Sequence, residues 1–360
     1  MAKLTSPEVN ISFVEKGASA IQRSEHGIVA LVVKDAVTGG PFTVYSVADI
    51  PEGMTDANKK SVKDALIGYQ VAPKKVLVYC MNPAAEKLEA EYTKMMGYFG
   101  RTKFDWMAIP TVETDGKTQD VASWIKSLRS TEKLMRKVVL PNSASDSEGV
   151  VNVTSSLFTA DGTEITPENC CARVAGIICG TPMRIAATYA PILEAADCTR
   201  LSKEDADQKV GNGELVFIWD GEKVKLNRAV NSFTTTTDTK GDSFKKIKLV
   251  EIMDMIYEDI KSTAEDSYIG KYANGYDNKC LLITAINAYF NELIRTGLLA
   301  SGTCEIDIDA QRNYLQSQGE KVEEMSDQDI KEAETGSRVF LMAHIKILDA
   351  MEDINLEINI

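Results

Sequence analysis

Histidine is nearly absent from this chain, with two in 360 residues, and its cysteines show no C-x-x-C spacing. His26 and His344, both read as lying at strand starts, look like surface or capping residues and leave little for general-base catalysis. Seven cysteines (Cys80, Cys170, Cys171, Cys179, Cys198, Cys280, Cys304) are an odd number at irregular intervals. That argues against a disulfide framework and against zinc, and predicts reduced, mostly buried thiols. No apolar run approaches the ~20 residues needed to span a bilayer. The opening Met1–Pro7 turns polar before any stretch could serve as a secretory signal, so synthesis and folding are expected in a cytoplasm. Positive charge is also short: 40 Lys and Arg stand against 53 Asp and Glu, a net −13. Wrapping nucleic acid needs clustered cations, so no nucleic-acid partner is expected.

What is present is ordinary globular material, 44% hydrophobic and 26% charged, in a length that predicts two or three domains. Val9, Ile11 and Phe13 alternate with polar residues and read as a short strand, followed by a polar link over 16–25. Strands are expected at 28–33 and 42–47, then a helix over 56–69 capped by Thr55. From Lys75 strand and helix alternate: strands at 76–80, 104–109, 137–140 and 150–153, helices over 84–99, 119–132 and 167–178. That order implies a mostly parallel sheet with helices on both faces. Segments 215–219 and 224–226 read as a hairpin around Asp220-Gly221.

The threonine run 234–237 and Lys240-Gly241-Asp242 mark a boundary. Beyond it come long helices over 244–264 and 278–298, the second ending at a Ser301-Gly302 turn. A strand over 304–309, a short acidic helix over 327–334 and a strand over 339–348 complete the unit. The fold class is thus mixed α/β and α+β, multi-domain. The expected parts are an arm and linker (1–20), a β-rich subdomain (24–74), a doubly wound α/β domain (75–237), an α+β C-terminal domain (238–350) and a terminal strand (351–360).

The alternation invites an enzyme reading, but no motif carries it. The strand at 76–80 is followed by Met81-Asn82-Pro83-Ala84, without the glycines that let backbone approach a pyrophosphate. Gly116-Lys117-Thr118 has Thr111 where a P-loop needs its first glycine. Glu305, Asp307 and Asp309 lack the glycine and terminal glutamate of a calcium loop, and strand alternation accounts for them better. No G-x-S-x-G elbow occurs, and no catalytic, cofactor or metal site is assigned.

Ile354, Leu356, Ile358 and Ile360 alternate with Asp353, Asn355, Glu357 and Asn359, a well-formed strand where chain ends are usually frayed and polar. Such a strand either closes the protein's own sheet or pairs with a neighbour's exposed edge. Burying its four aliphatics yields about 6–12 kcal/mol gross, against about 10 kcal/mol to order seven residues. The balance is near zero, so an arm of this kind would dock only where other contacts raise its effective concentration. The acidic tract 320–334 holds Glu323, Glu324, Asp327, Asp329 and Glu332, candidates for contact with a charged partner.

The order of four stretches resembles the contractile tail sheath family, in the short form of defective phages and R-type tailocins such as diffocins. They are Pro7–Lys16, with Glu8 where the family commonly has glycine, Ser24–Ala30, Val224–Thr234 with its Arg228, and Phe244–Leu299 with Tyr268-Ile269-Gly270-Lys271. The resemblance covers nearly the whole chain. It implies a subunit of a helical sheath around an inner tube, assembled extended and metastable. On this view Val9, Ile11, Phe13, Ile354, Leu356, Ile358 and Ile360 belong to arms that complete a neighbour's sheet. A baseplate trigger then shortens the sheath and drives the tube through a cell envelope. Implied partners are other copies of the chain, the tube protein, and baseplate and terminator proteins, with no membrane insertion. The particle, phage or phage-tail-like, would be assembled in the cytoplasm and released. Another phage structural role, in tube or baseplate, and an enzyme with an unrecognised site are the alternatives. Length and the α/β middle weigh against the tube.

Overall fold

A computed structural model describes residues 20–23, 26–37 and 40–359. They form two compact units: Arg23–Glu258 with the chain's end from Ile347, and Asp259–Lys346 with residues 20–22.

The larger unit is doubly wound. Its strands are β1 (Ile28–Lys34), β2 (Phe42–Val44), β3 (Lys75–Met81), β4 (Trp106–Ala108), β5 (Lys137–Pro141) and β6 (Val150–Val153). Short strands follow: β7 (Leu157–Phe158), β8 (Glu164–Ile165), β9 (Asp197–Cys198), β10 (Glu214–Leu215), β11 (Phe217–Trp219) and β12 (Val224–Leu226). Seven of them make one sheet in the order β10-β6-β5-β4-β1-β3-β2, parallel except for β2.

Alternate residues of β1 face opposite layers. Val29, Leu31 and Val33 pack on the side of α1 (Asp56–Ile67) and α4 (Pro167–Cys179). Ile28, Ala30 and Val32 pack on the side of α2 (Leu88–Phe99) and α3 (Thr118–Ser130). A strand buried on both faces is necessarily a continuous apolar run. For that reason residues 24–74 are not a β-rich subdomain: β1 lies at the centre of the doubly wound sheet and β2 at its edge. The hairpin at Asp220-Gly221 forms as expected, with β11 antiparallel to β12. α5 (Lys203–Gly211) completes this unit's regular helices apart from the next.

α6 (Ile247–Ser267) starts in the larger unit, and the division falls within it, after Glu258, well beyond the threonine run. The reason is electrostatic. Glu251, Asp254 and Glu258 recur at helical spacing and face a row of cations on the sheet. Lys137, fully buried, reaches Glu251 (2.9 Å) and Asp254 (3.0 Å). Arg129 forks onto Asp254 at 2.8 and 2.9 Å, and Arg136 holds Glu258 at 2.9 Å. Trp106 Nε1 donates to Glu251 (2.9 Å).

The smaller unit holds α7 (Tyr276–Arg295), β13 (Leu299–Ile306), α8 (Ile308–Ser317), α9 (Asp327–Glu332) and β14 (Leu341–Ile347). The turn after α7 sits at Gly297 (φ +75°), a left-handed conformation that suits glycine, and Ser301-Gly302 lies inside β13. The expected strand 304–309 therefore begins earlier and stops at Ile306. Asp307 is a helix cap: its carboxylate accepts from the Ala310 amide at 2.8 Å and Asp309 enters the first turn of α8. Its Gln311 is buried and donates to the Ile330 carbonyl, tying α8 to α9. His344 lies in the middle of β14 and not at a strand start.

Burial would raise the Asp254 carboxyl, but Lys137 and Arg129 hold it below its ordinary value. A depressed carboxylate stabilises the fold above its unfolded pKa of about 4, and that contribution is lost as pH falls through the folded value. Asp254→Asn should therefore cost about 3–5 kcal/mol at neutral pH by leaving buried cations under-compensated. Urea midpoints should show the gap to the parent narrowing near pH 3; a gap of constant size would detach the effect from this carboxylate's charge.

Candidate assembly interface

β14 pairs with β13 on one side, and no strand of the described residues pairs with its other edge. Its side chains are half-buried or exposed along its whole length. The far edge of β13 is closed by a side chain. Asn287 of α7 donates from Nδ2 to the Cys304 carbonyl (3.0 Å) and accepts at Oδ1 from the Cys304 amide (2.7 Å). A carboxamide carries the same donor and acceptor pair that a neighbouring strand would present. Gly302 permits this approach, since a Cβ there would lie 3.0 Å from Phe290 Cβ. The small sheet is thus covered at Cys304 on one edge, and its other edge is unpaired among the described residues. Beside the start of β14 lies a cleft of about 840 Å³ with Tyr268, Ile269, Tyr272, Leu282, Val339 and Leu341 in its wall.

The chain's end inverts normal burial. Met351, Ile354, Leu356 and Ile358 are 93%, 81%, 78% and 74% exposed, and residues 348–359 belong to no strand. The sequence pattern predicts a strand here, and the strand has no partner among the described residues of its own chain. The polar residues just before it are engaged. Lys248 donates to the Leu348 carbonyl at 2.8 Å, and Lys246 pairs with Asp349 and, at 3.1 Å, with Glu352. Thr188 donates to Glu352 at 2.5 Å, and Arg228 pairs with Asp353. Burial lowers the Lys248 ammonium, with Asp349 and Glu352 acting the other way. Val9, Ile11, Phe13 and Ile360 lie outside the described residues.

The acidic tract divides by partner. Asp327 is held by Arg312 (2.7 Å), and Asp329 closes a capping box with Ser326, which keeps its carboxyl below the ordinary range. Glu332 accepts from Gln328 (2.5 Å). Glu323 and Glu324 are exposed, while Val322 and Ile330 anchor the tract on Leu315.

In doubly wound folds, ligands bind where the strand order reverses, beyond the carboxyl ends of the strands. Here that place lies between β1 and β4, and its polar groups are engaged with one another. Lys34 pairs with Asp115, which also accepts from Tyr92 (2.9 Å) and Thr111 (3.1 Å). Glu168 accepts from the amides of Glu113 (2.6 Å) and Thr114 (3.0 Å). His26 lies 3.6 Å from Asp105, just ahead of β1. These contacts fix loops to helices, which is structural work.

The fold is that of contractile sheath proteins. A sheath tail protein from Desulfitobacterium hafniense matches with TM-score 0.70 and 19% identity, over 83% of this chain and 94% of that one. The helical sheath of the anti-feeding prophage in its contracted state matches with TM-score 0.72 and 13% identity, over 99% of both chains. In sequence, the phage tail sheath central-domain family matches residues 85–232, and the phage tail sheath C-terminal-domain family matches 239–360. The tail sheath protein of Clostridium phage phiCD119 is 37% identical over 97% of this chain and 98% of that protein. The chain belongs to the phage tail sheath family, and it is a structural subunit of a contractile tail sheath. The C-terminal family domain begins one residue after the boundary expected at 238, whereas the compact units divide after Glu258.

Asn287 is a residue the sequence did not signal. Asn287→Ala should leave the buried Cys304 amide and carbonyl unpaired, costing about 1–3 kcal/mol. Denaturant unfolding of the monomer measures this; an unchanged midpoint would show that water replaces the carboxamide.

Proposed function

We propose that the subunit polymerises into a helical sheath around an inner tail tube by lending its terminal strands to neighbours, and that contraction of this polymer drives the tube through a cell envelope. The observation that carries the reading is the pairing of two complementary features among the described residues: an edge of β14 with no partner strand, and an exposed segment at 354–359 with the alternating aliphatic pattern of a strand. Main-chain pairing along that edge supplies hydrogen bonds. The apolar cleft beside Leu341 offers a place for every second side chain. The N-terminal residues Val9, Ile11 and Phe13 have the same pattern and are assigned the same role.

Strand exchange of this kind keeps subunits connected while rigid bodies rotate, as contraction demands. The function is mechanical, with no catalytic step. Baseplate and terminator proteins would bound the polymer, which assembles in the cytoplasm and leaves in a phage or phage-tail-like particle. Glu323, Glu324, Asp327, Asp329 and Glu332 would face a basic surface of the tube or of the next subunit.

Ending the chain after Asp353 should abolish cylinders seen by negative-stain microscopy and leave monomer melting unchanged, because the removed aliphatics are exposed. Normal cylinders from the shortened chain would refute strand exchange by this tail; a melting loss of several kcal/mol would place the strand in its own subunit's core. Changing Glu323, Glu324 and Glu332 to Gln should flatten the salt dependence of sheath–tube association, since exposed charges are screened over about 8 Å at physiological ionic strength. An identical salt slope in the triple variant rules out that contact.

A further inference from the structure

We infer that residues 348–353 form an ionic latch that fixes the root of the C-terminal arm on its own larger unit, so that only residues 354–360 are free to search for a neighbour. This rests on the arm-exchange reading above and adds a regulating element to it.

The latch is built from both sides of the chain. On the body stand Thr188, in the loop after α4, Arg228, just after β12, and Lys246 and Lys248 at the start of α6. On the tail stand the Leu348 carbonyl, Asp349, Glu352 and Asp353, each engaged by one of those groups. The centre is Glu352, whose side chain is 6% exposed while neighbouring Met351 is 93% exposed. A carboxylate is buried there and a large apolar side chain is left in water, the reverse of what free solvation of a chain end would select. The Arg228–Asp353 pair, with Asp353 mostly exposed, adds little by itself. Glu352, held by Lys246 and Thr188 together, is the holding contact.

The consequence for assembly is geometric. Held at Asp353, the arm is a tether of seven residues, 354–360; released at Leu348, it is one of thirteen, 348–360. Effective concentration falls roughly as the −3/2 power of tether length, so release dilutes each arm about two- to threefold at its docking edge.

A glutamate-specific protease reads the latch directly. It should cut the parent rapidly after Glu357, in the free arm, and slowly after Glu352. In Arg228→Ala/Lys246→Ala the rate after Glu352 should rise about tenfold toward that after Glu357, as losing three charge-assisted contacts, two of them largely exposed, predicts. Added salt should do the same to the parent, and the critical concentration for cylinders should rise two- to threefold or more. The swap Arg228→Asp/Asp353→Arg, which restores one pair, should slow cleavage relative to Arg228→Asp alone. Equal cleavage after Glu352 in parent and double variant, with monomer melting intact, overturns the latch. Faster cleavage with an unchanged critical concentration overturns its role in assembly. If the double variant does not fold, Glu352→Gln, probed by mobility of the Ile354 and Ile358 methyl resonances, carries the same test, and unchanged linewidths count against the latch. Failure of the arm-exchange reading is separate: it appears as cylinders from the chain ended after Asp353, whatever the protease shows.

Discussion

A sheet edge is a row of amides and carbonyls that must pair with something, and a chain manages that obligation by covering the edge or by using it. Both solutions occur within one two-stranded sheet here. Asn287 covers the far side of β13 at Cys304, and no strand among the described residues pairs with the outer edge of β14. Closing one edge gives an added strand a single place to go. On the proposed arm exchange the tail would supply the matching element: Ile354, Leu356 and Ile358 stand at every second position and are exposed among the described residues. A protein that folded only for itself would have no reason to keep both deficits.

The larger unit has the opposite character. Its interior strand β1 is buried on both faces, and α6 meets the rest of the unit through a network of Lys137, Arg129 and Arg136 with Glu251, Asp254 and Glu258. Buried ion pairs are poor sources of net stability, because desolvation offsets most of the attraction. Their value lies in direction. Carboxylates three and four residues apart on α6 meet cations fixed at the start of one strand (Arg136 and Lys137, β5) and on a helix (Arg129, α3), so the helix has one register and one rotation on the sheet. A sliding apolar contact would tolerate several. A body that must be moved as a whole during contraction gains from having a single such arrangement.

Local pattern made the doubly wound order and the hairpin at Asp220-Gly221 readable from sequence. Each depends on neighbouring residues: period-2 alternation, turn glycines, caps such as Thr55. The misread places are those where two local meanings coincide. Ile306-Asp307-Ile308-Asp309 alternates like a strand, yet Asp307 is also a good N-cap, and the cap prevails because α8 can then place Gln311 on α9. β1 read as part of a β-rich subdomain because an unbroken apolar run fits a buried parallel strand and a sandwich-core strand alike. The interface residues were partly legible. The aliphatic arm showed itself by alternation, but Asn287, Thr188 and Lys246 act over long separations that no periodicity encodes. Asp349, Glu352 and Asp353 carry no local sign of engagement because their partners lie more than a hundred residues away.

An exposed aliphatic strand is also a hazard, since two such tails in different monomers can pair with each other and aggregate. The sequence of the arm limits this. Asp353 and Glu357 place negative charge on alternate positions, so like tails brought together in register oppose one another, whereas β14 presents His344 and Lys346. Apolar burial of the four side chains is nearly balanced by the entropy of ordering the arm, at about 1.5 kcal/mol per residue. Pairing between two free tails therefore lacks a surplus. On the proposed arm exchange, docking on β14 would add the edge's own hydrogen bonds and the apolar wall of the cleft, and adjacent subunits in a growing helix would raise the local concentration of arms. Selectivity for the polymer over tail–tail pairing would then come from small differences acting on many copies at once, and a subunit with a much stickier tail would lose it.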